Sequence, residues 1–271
     1  VGDDTPIFVG GRAYAAHDMV AAMVRWVVDR VVEREGGPPA RVAITHPVTW
    51  GSYKKDLVRA ALAARGVAEP VFLLQAEAAA VNYATQEPIE PGTCLAVYDL
   101  GGGTFDATVL RATADGSFQL VGSADGLDHL GGADLDEAVF GHVRSSLAAE
   151  FADADLNERD PEVLSALARL RRACTEAKEA LSADTEVSIP VELPGISGQV
   201  RLVRAEFEEM IRPALEDTLE SLFRALRSAR VKADDLAAVL LVGGSCGVPL
   251  VAQIVSGALR CPVMVDADPT T

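Results

Sequence analysis

The stretch Asp99-Leu100-Gly101-Gly102-Gly103-Thr104-Phe105-Asp106 constrains this chain more than any other part of it. Residues 94–98 before it and 107–110 after it are apolar and rich in strand formers, so the glycines join two strands. A three-glycine turn leaves backbone N–H groups free to meet an anion. A carboxylate just ahead of the turn, Asp99, can hold the water shell of a Mg²⁺ ion. A hydroxyl just behind it, Thr104, can touch a terminal phosphate or an attacking water. In a Rossmann turn or a P-loop the glycines open a helix. Here 104–110 reads as a strand, so the feature is a β-hairpin closed on phosphate. The plain alternative is a glycine-containing hairpin without a ligand.

A chain of 271 residues accommodates one large α/β domain or two lobes. A hydrophobic content of 49% with 24% charged residues supports a large core. The formal charge of −16 argues against nucleic acid and against an anionic membrane surface as partners. No apolar run reaches the length of a membrane span. The sequence opens at Val1 without a recognisable signal peptide and is expected to be a piece of a longer protein. Cys94, Cys174, Cys246 and Cys261 are scattered, with no Cys-x-x-Cys pair, which fits reduced thiols in the cytoplasm. His17, His46, His129 and His142 share no metal-ligand spacing.

Before the hairpin, Met19, Met23, Trp26, Val27 and Val31 predict a helix over 14–34, ended by Gly36-Gly37-Pro38-Pro39. A strand over 41–45, a helix over 52–65, a strand over 71–74 and a helix over 76–85 imply a parallel βαβ unit. The Pro and Gly cluster at 88–92 reads as a lobe boundary. After the hairpin, 118–126 is expected as a third antiparallel strand, and Gly131-Gly132 introduces a helix over 134–151. A helix over 161–182 and a hairpin of 185–190 with 198–202 follow. Residues 204–230 form an amphipathic helical region expected to break near Pro213. An apolar strand over 237–242 runs into Gly243-Gly244-Ser245 and a helix over 249–259. Strand, glycine pair and helix start make a second candidate nucleotide contact. Its alternative is a tight βα turn that only packs closely.

With these residues in hand, the chain resembles the ATPase domain of the DnaK family of heat-shock chaperones. Asp99 to Asp106 matches that family's second phosphate motif. His129-Leu130-Gly131-Gly132-Ala133-Asp134-Leu135-Asp136 matches its His-Leu-Gly-Gly-x-Asp-Phe-Asp segment. Residues 169–182 are similar to the helix whose lysine and serine face the adenosine. Leu241-Val242-Gly243-Gly244-Ser245, with Pro249, matches the adenosine turn. Ala43-Ile44-Thr45-His46-Pro47 is similar to the strand whose proline links nucleotide state to the partner domain.

The resemblance implies an α/β, actin-like ATPase fold with ribonuclease H-like lobes. Lobe II would be complete, with its core at 94–130 and 213–271 and an inserted subdomain at 131–212. Residues 1–93 would form a partial lobe I. It implies ATP or ADP with Mg²⁺ near Asp99, held through water, and Asp99, Thr104 and Asp106 as catalytic residues. Phosphates would lie on Gly101, Gly102, Gly103 and Thr104, beside Gly131 and Gly132. Adenosine would lie near Lys178, Ser182, Gly243, Gly244 and Ser245. Co-chaperones and a substrate-binding domain are the implied partners, in the cytoplasm.

Departures from the family pattern matter too. Its first phosphate hairpin, Asp-Leu-Gly-Thr-Thr, and its catalytic lysine do not occur, and the resemblance ends at Asp268-Pro269, before a closing helix. A glutamate of the family becomes Gln75, and the arginine that stacks on adenine becomes Gly247. Thr175 and Glu179 stand where the family has glutamate and arginine. The chain is therefore expected to bind nucleotide weakly and to hydrolyse ATP no faster than background, with residues before about 93 either poorly ordered or packed against a second copy through lobe I. Two functions compete. One is the ATPase domain of a DnaK-like chaperone, coupling ATP binding and hydrolysis to a partner domain. The other is a degenerate actin-fold module serving protein interaction. A sugar or acetate kinase of the same superfold is disfavoured by 131–136.

Overall fold

Apolar runs punctuated by glycine and proline become twelve strands and eight α-helices among the described residues. The computed structural model describes residues 1–2, 5–154, 156–157 and 159–265. Asp268 and Pro269 lie outside them. The chain divides into two compact units, Val1–Asn82 and Tyr83–Thr271.

The first unit opens with a hairpin of β1 (Ile7–Val9) and β2 (Arg12–Tyr14). Gly10 and Gly11 both take positive φ, 56° and 77°, which a two-residue hairpin turn demands. This Gly-Gly signal escaped the sequence reading. Helices α1 (Ala16–Glu35) and α2 (Ser52–Ala63) pack on a small core of Ala21, Val58, Ala61, Leu62 and Val67. Strands β3 (Ala43–His46) and β4 (Val71–Leu74) pair in parallel, Ala43 opposite Val71, as the βαβ reading expects. Helix α3 (Gln75–Gln86) leads onward.

The second unit is built on a mixed sheet. Strands β5 (Cys94–Leu100), β6 (Phe105–Ala112), β7 (Phe118–Leu120) and β8 (Asp125–Leu127) come first along the chain. Helices α4 (Gly132–Ser146), α5 (Ala148–Asp153) and α6 (Pro161–Ala180) follow, then an antiparallel pair, β9 (Glu186–Leu193) and β10 (Ile196–Val203). Helix α7 (Arg204–Ala229), β11 (Leu236–Val242), α8 (Pro249–Ala258) and β12 (Val263–Val265) complete the unit. The strand order is β12-β11-β5-β6-β7, with β8 also on β6. β12, β11 and β5 are parallel, and β6 runs antiparallel to β5, β7 and β8.

Three expectations need correcting. Residues 118–126 are not one strand. Gly122, at φ 71°, packs so closely on α7 that a Cβ would lie 2.5 Å from the Ala229 nitrogen, and Ser228 Oγ accepts from the Ser123 N–H. The chain leaves the sheet there and rejoins it as β8. The helix expected over 134–151 begins at Gly132 and breaks at Leu147 (φ −117°, ψ 35°), which lets Leu147 and Phe151 both pack on the core. Helix α7 runs unbroken through Pro213. That residue is exposed, so the freed carbonyl one turn back can meet water. Phe207 and Ile211 before it, and Leu215 and Leu222 after it, bury one continuous face.

The sheet and α7 are joined by a buried polar contact. Thr218 Oγ1 donates to the Leu215 carbonyl at 2.5 Å, so the Tyr98 hydroxyl, 2.5 Å away, donates to Thr218. Burial raises the Tyr98 phenol above its ordinary range, which keeps that proton in place.

Candidate functional site

The register that pairs β5 with β6 sets Leu100 opposite Phe105 and Asp99 opposite Asp106. The Gly101 N–H donates to the Thr104 carbonyl at 3.0 Å and closes the turn. Gly102, Gly103 and Thr104 are exposed at its tip. No partner is found for the Gly102 and Gly103 N–H groups among the described residues.

The start of α4 seats this tip. Gly132 N–H donates to the Gly101 carbonyl at 2.9 Å, and Ala133 N–H to the Gly102 carbonyl at 2.8 Å. These donors serve the hairpin carbonyls, whereas no partner is found for its Gly102 and Gly103 N–H groups among the described residues. Asp134 Oδ2 accepts from the Gly131 N–H at 2.8 Å and fixes the turn into the helix. Gly131 is required by closeness alone. A Cβ there would lie 2.4 Å from the Gly103 nitrogen.

The turn after β11 completes the seat. Ser245 Oγ donates to the Gly101 carbonyl at 2.9 Å. Gly243, at φ 90°, would place a Cβ 2.4 Å from the Leu100 carbonyl oxygen and 3.1 Å from Asp99 Oδ1. Lys178, on α6, reaches Asp136 Oδ1 at 2.8 Å and the Gly132 carbonyl at 3.4 Å. A Cβ on Gly132 would stand 2.8 Å from Ser245 Oγ, 3.5 Å from Lys178 Nζ and 3.6 Å from the Gly102 Cα. Segments far apart in sequence thus converge on one point. Ser182 lies four residues beyond Lys178, past the end of α6, and makes no hydrogen bond to the hairpin among the described residues. Gly244 is exposed.

Asp99 and Asp106 are both half-buried. Burial, and then the charge of Asp106, pushes the Asp99 carboxyl up to about 6. Burial, and then the charge of Asp128, raises Asp106. None of these three carboxylates has an ion-pair partner among the described residues. Uncompensated carboxylates at the base of an exposed glycine tip suit a hydrated divalent cation. No group of three metal-ligating side chains converges among the described residues, so contact through water is the mode these donors fit.

The sequence reading had no role for Asp128, Asp134 or Asp136. Asp134 carried a visible signal, the acid three residues after a helix-opening glycine. Asp136 had none, because its partner is 42 positions away on another helix.

A mixed sheet carrying a three-glycine hairpin, seated by two glycine-led turns beside paired carboxylates, defines an α/β protein. The profile described as Hsp70 protein matches residues 3–269, and the chain belongs to that family. Two chaperone protein HscA homologs, from the ATCC 53993 and ATCC 23270 strains of Acidithiobacillus ferrooxidans, are each 35% identical to it over 253 residues. The match covers 93% of this chain and 38% of each relative, so the chain spans well under half their length. No helix among the described residues is long and apolar enough to cross a membrane.

Proposed function

We propose that this chain is the nucleotide-binding domain of a DnaK-like chaperone, an actin-like unit that couples nucleotide state to a partner domain in a longer protein. The convergence of Gly102, Ser245 and Lys178 on Gly132 carries the reading, because it fixes an exposed hairpin tip whose Gly102 and Gly103 N–H groups have no partner among the described residues. Gly102 and Gly103 bind the terminal phosphates of ATP or ADP through those groups. Thr104 is exposed at the same tip. Asp99, with Asp106 opposite, holds Mg²⁺ through water. Magnesium, when bound, supplies positive charge against the phosphates.

In this reading residues 94–130 and 213–271 form the core of lobe II, 131–212 the inserted subdomain, and 1–93 part of lobe I. The protein works in the cytoplasm with co-chaperones and a substrate-binding domain, and its four unpaired cysteines suit that compartment.

A second reading, a protein-interaction module with little nucleotide affinity, has its own support. Lys178 is committed to Asp136, and position 247 carries no side chain. Titration of ¹⁵N-labelled protein with MgADP separates the two. The first reading expects shifts at Gly101 to Thr104 with a dissociation constant far weaker than micromolar. Unmoved hairpin amides at millimolar MgADP would leave only the second.

A further inference from the structure

We infer that a hollow lined by α4, α5 and α6 binds a small amphipathic carboxylate, an acid with an aryl or branched alkyl body. The hollow shares no residue with the glycine hairpin or its seat, so its ligand is independent of the nucleotide reading.

The break at Leu147 separates α5 from α4 and brings Phe151 to the hollow. Phe140 and Arg144 line it from α4, and Leu167 and Arg171 from α6. Its volume is about 340 Å³. That lies near the lower end of the range for small-molecule sites, roughly 300–1,000 Å³. Phe140 is 5% exposed and belongs to the core. Phe151, Leu156 and Leu167 are partly buried and pack against that core. The wall is therefore made of rings and branched chains on a rigid base, which suits an apolar body.

Two guanidinium groups line the same hollow, and no carboxylate among the described residues does. Arg171 is held in place. One Nη donates to Glu137 at 2.6 Å, and its guanidinium carbon lies 4.2 Å from the centroid of the Phe140 ring. Arg144, in the last turn of α4, has no ion pair or side-chain hydrogen bond among the described residues. Glu137 thus balances one of the two charges and leaves the other, at Arg144, for an incoming anion. A guanidinium presents a planar fork that matches a carboxylate. Apolar walls and one uncommitted fork together select an acid with a compact apolar body over either a neutral hydrophobe or a bare anion.

The test titrates the ¹⁵N-labelled chain with 3-phenylpropionate, with its neutral amide 3-phenylpropionamide, and with acetate. Each is followed at the amides of Phe140, Arg144, Phe151 and Leu167. Phenylpropionate is expected to give saturable shifts there and to bind about tenfold or more tightly than the amide, the gain of a hydrogen bond to a charged group. Acetate is expected to give no saturable shift at the same concentrations. Arg144→Gln, at an exposed position where glutamine keeps the helix propensity, is expected to weaken phenylpropionate about fivefold or more and to leave the amide within about twofold. Equal affinity for acid and amide would overturn the inference, as would acetate binding as tightly as phenylpropionate. An unchanged phenylpropionate affinity in Arg144→Gln would do the same. So would the lack of a saturable shift at these four amides, including a response confined to Gly101 to Thr104.

Discussion

The ammonium of Lys178 lies 2.8 Å from Oδ1 of Asp136, an oxygen that is buried and accepts no other bond among the described residues. Lys178 is itself 11% exposed at its side chain. Removing the lysine strands a buried charge, which costs about 3 kcal/mol. Lys178→Met should lower the urea stability by that order, and adding Asp136→Leu should restore most of it. A double variant whose loss equals the sum of the two single losses would show that the pair is not coupled.

The same pairing bears on catalysis. Phosphoryl transfer depends on positioned positive charge. Asp99 and Asp106 flank the hairpin turn, the charge of Asp128 acts on Asp106, and the Lys178 ammonium is already paired with Asp136. The chain should therefore release phosphate from ATP no faster than buffer does. Steady release that disappears on Asp99→Ala would refute this.

Gly131 and Gly141 sit at the start and in the middle of one stretch of helix, yet their substitutions should act in opposite ways. At Gly131 a Cβ would run into the Gly103 backbone, whereas at Gly141 it meets nothing. Gly131→Ala should unseat the hairpin and abolish MgADP-induced amide shifts. Gly141→Ala should leave those shifts intact and raise stability by about 0.5–1 kcal/mol through helix propensity. Equal thermal stability in the two variants would contradict the packing.

Asp99 makes stability depend on pH in a defined sense. Its carboxyl ordinarily titrates near 3.8 and is pushed up to about 6 in the fold. Between those values the folded state holds the proton more tightly, so protonation stabilises it. That gain is present below about 4 and is lost as pH rises through 6. In EDTA, Asp99→Asn should therefore be more stable than wild type at pH 7.5, by up to about 3 kcal/mol, and the advantage should shrink at pH 5. A difference in melting temperature that stays constant over this range would exclude the shift.

The first unit leaves much apolar surface open. Met23, Trp26, Val27 and Val31 form a stripe on α1 with exposures of 67%, 60%, 50% and 38%, and Phe8 is 71% exposed. Apolar patches of this kind recruit other chains. Light scattering across a concentration series should show self-association that Trp26→Glu weakens. A mass that stays monomeric at the highest concentration would rule it out.

Much of this was legible in the residues, for identifiable reasons. The hairpin could be read because its signals are local: strand formers flank three glycines, and Asp99 falls opposite Asp106 by register. The strand at 71–74 and the Pro161 helix start were local in the same way. What could not be read depends on distant contacts. Residues 118–126 split because Gly122 meets Ala229, and Pro213 does not break α7 because the flanking face is held by the core. The commitment of Lys178 depends on Asp136, which no periodicity links to it. At Gly131 the glycine was visible, but not the backbone it must clear.

The seat of the hairpin also bears on how the protein is made. The Ser245 hydroxyl that holds the loop's first carbonyl lies 144 residues after it. A chain halted after α4 has the loop and one brace. Only a chain complete through β11 and the following turn has both. A nascent chain therefore carries the hairpin well before it carries the second brace that fixes the Gly101 carbonyl.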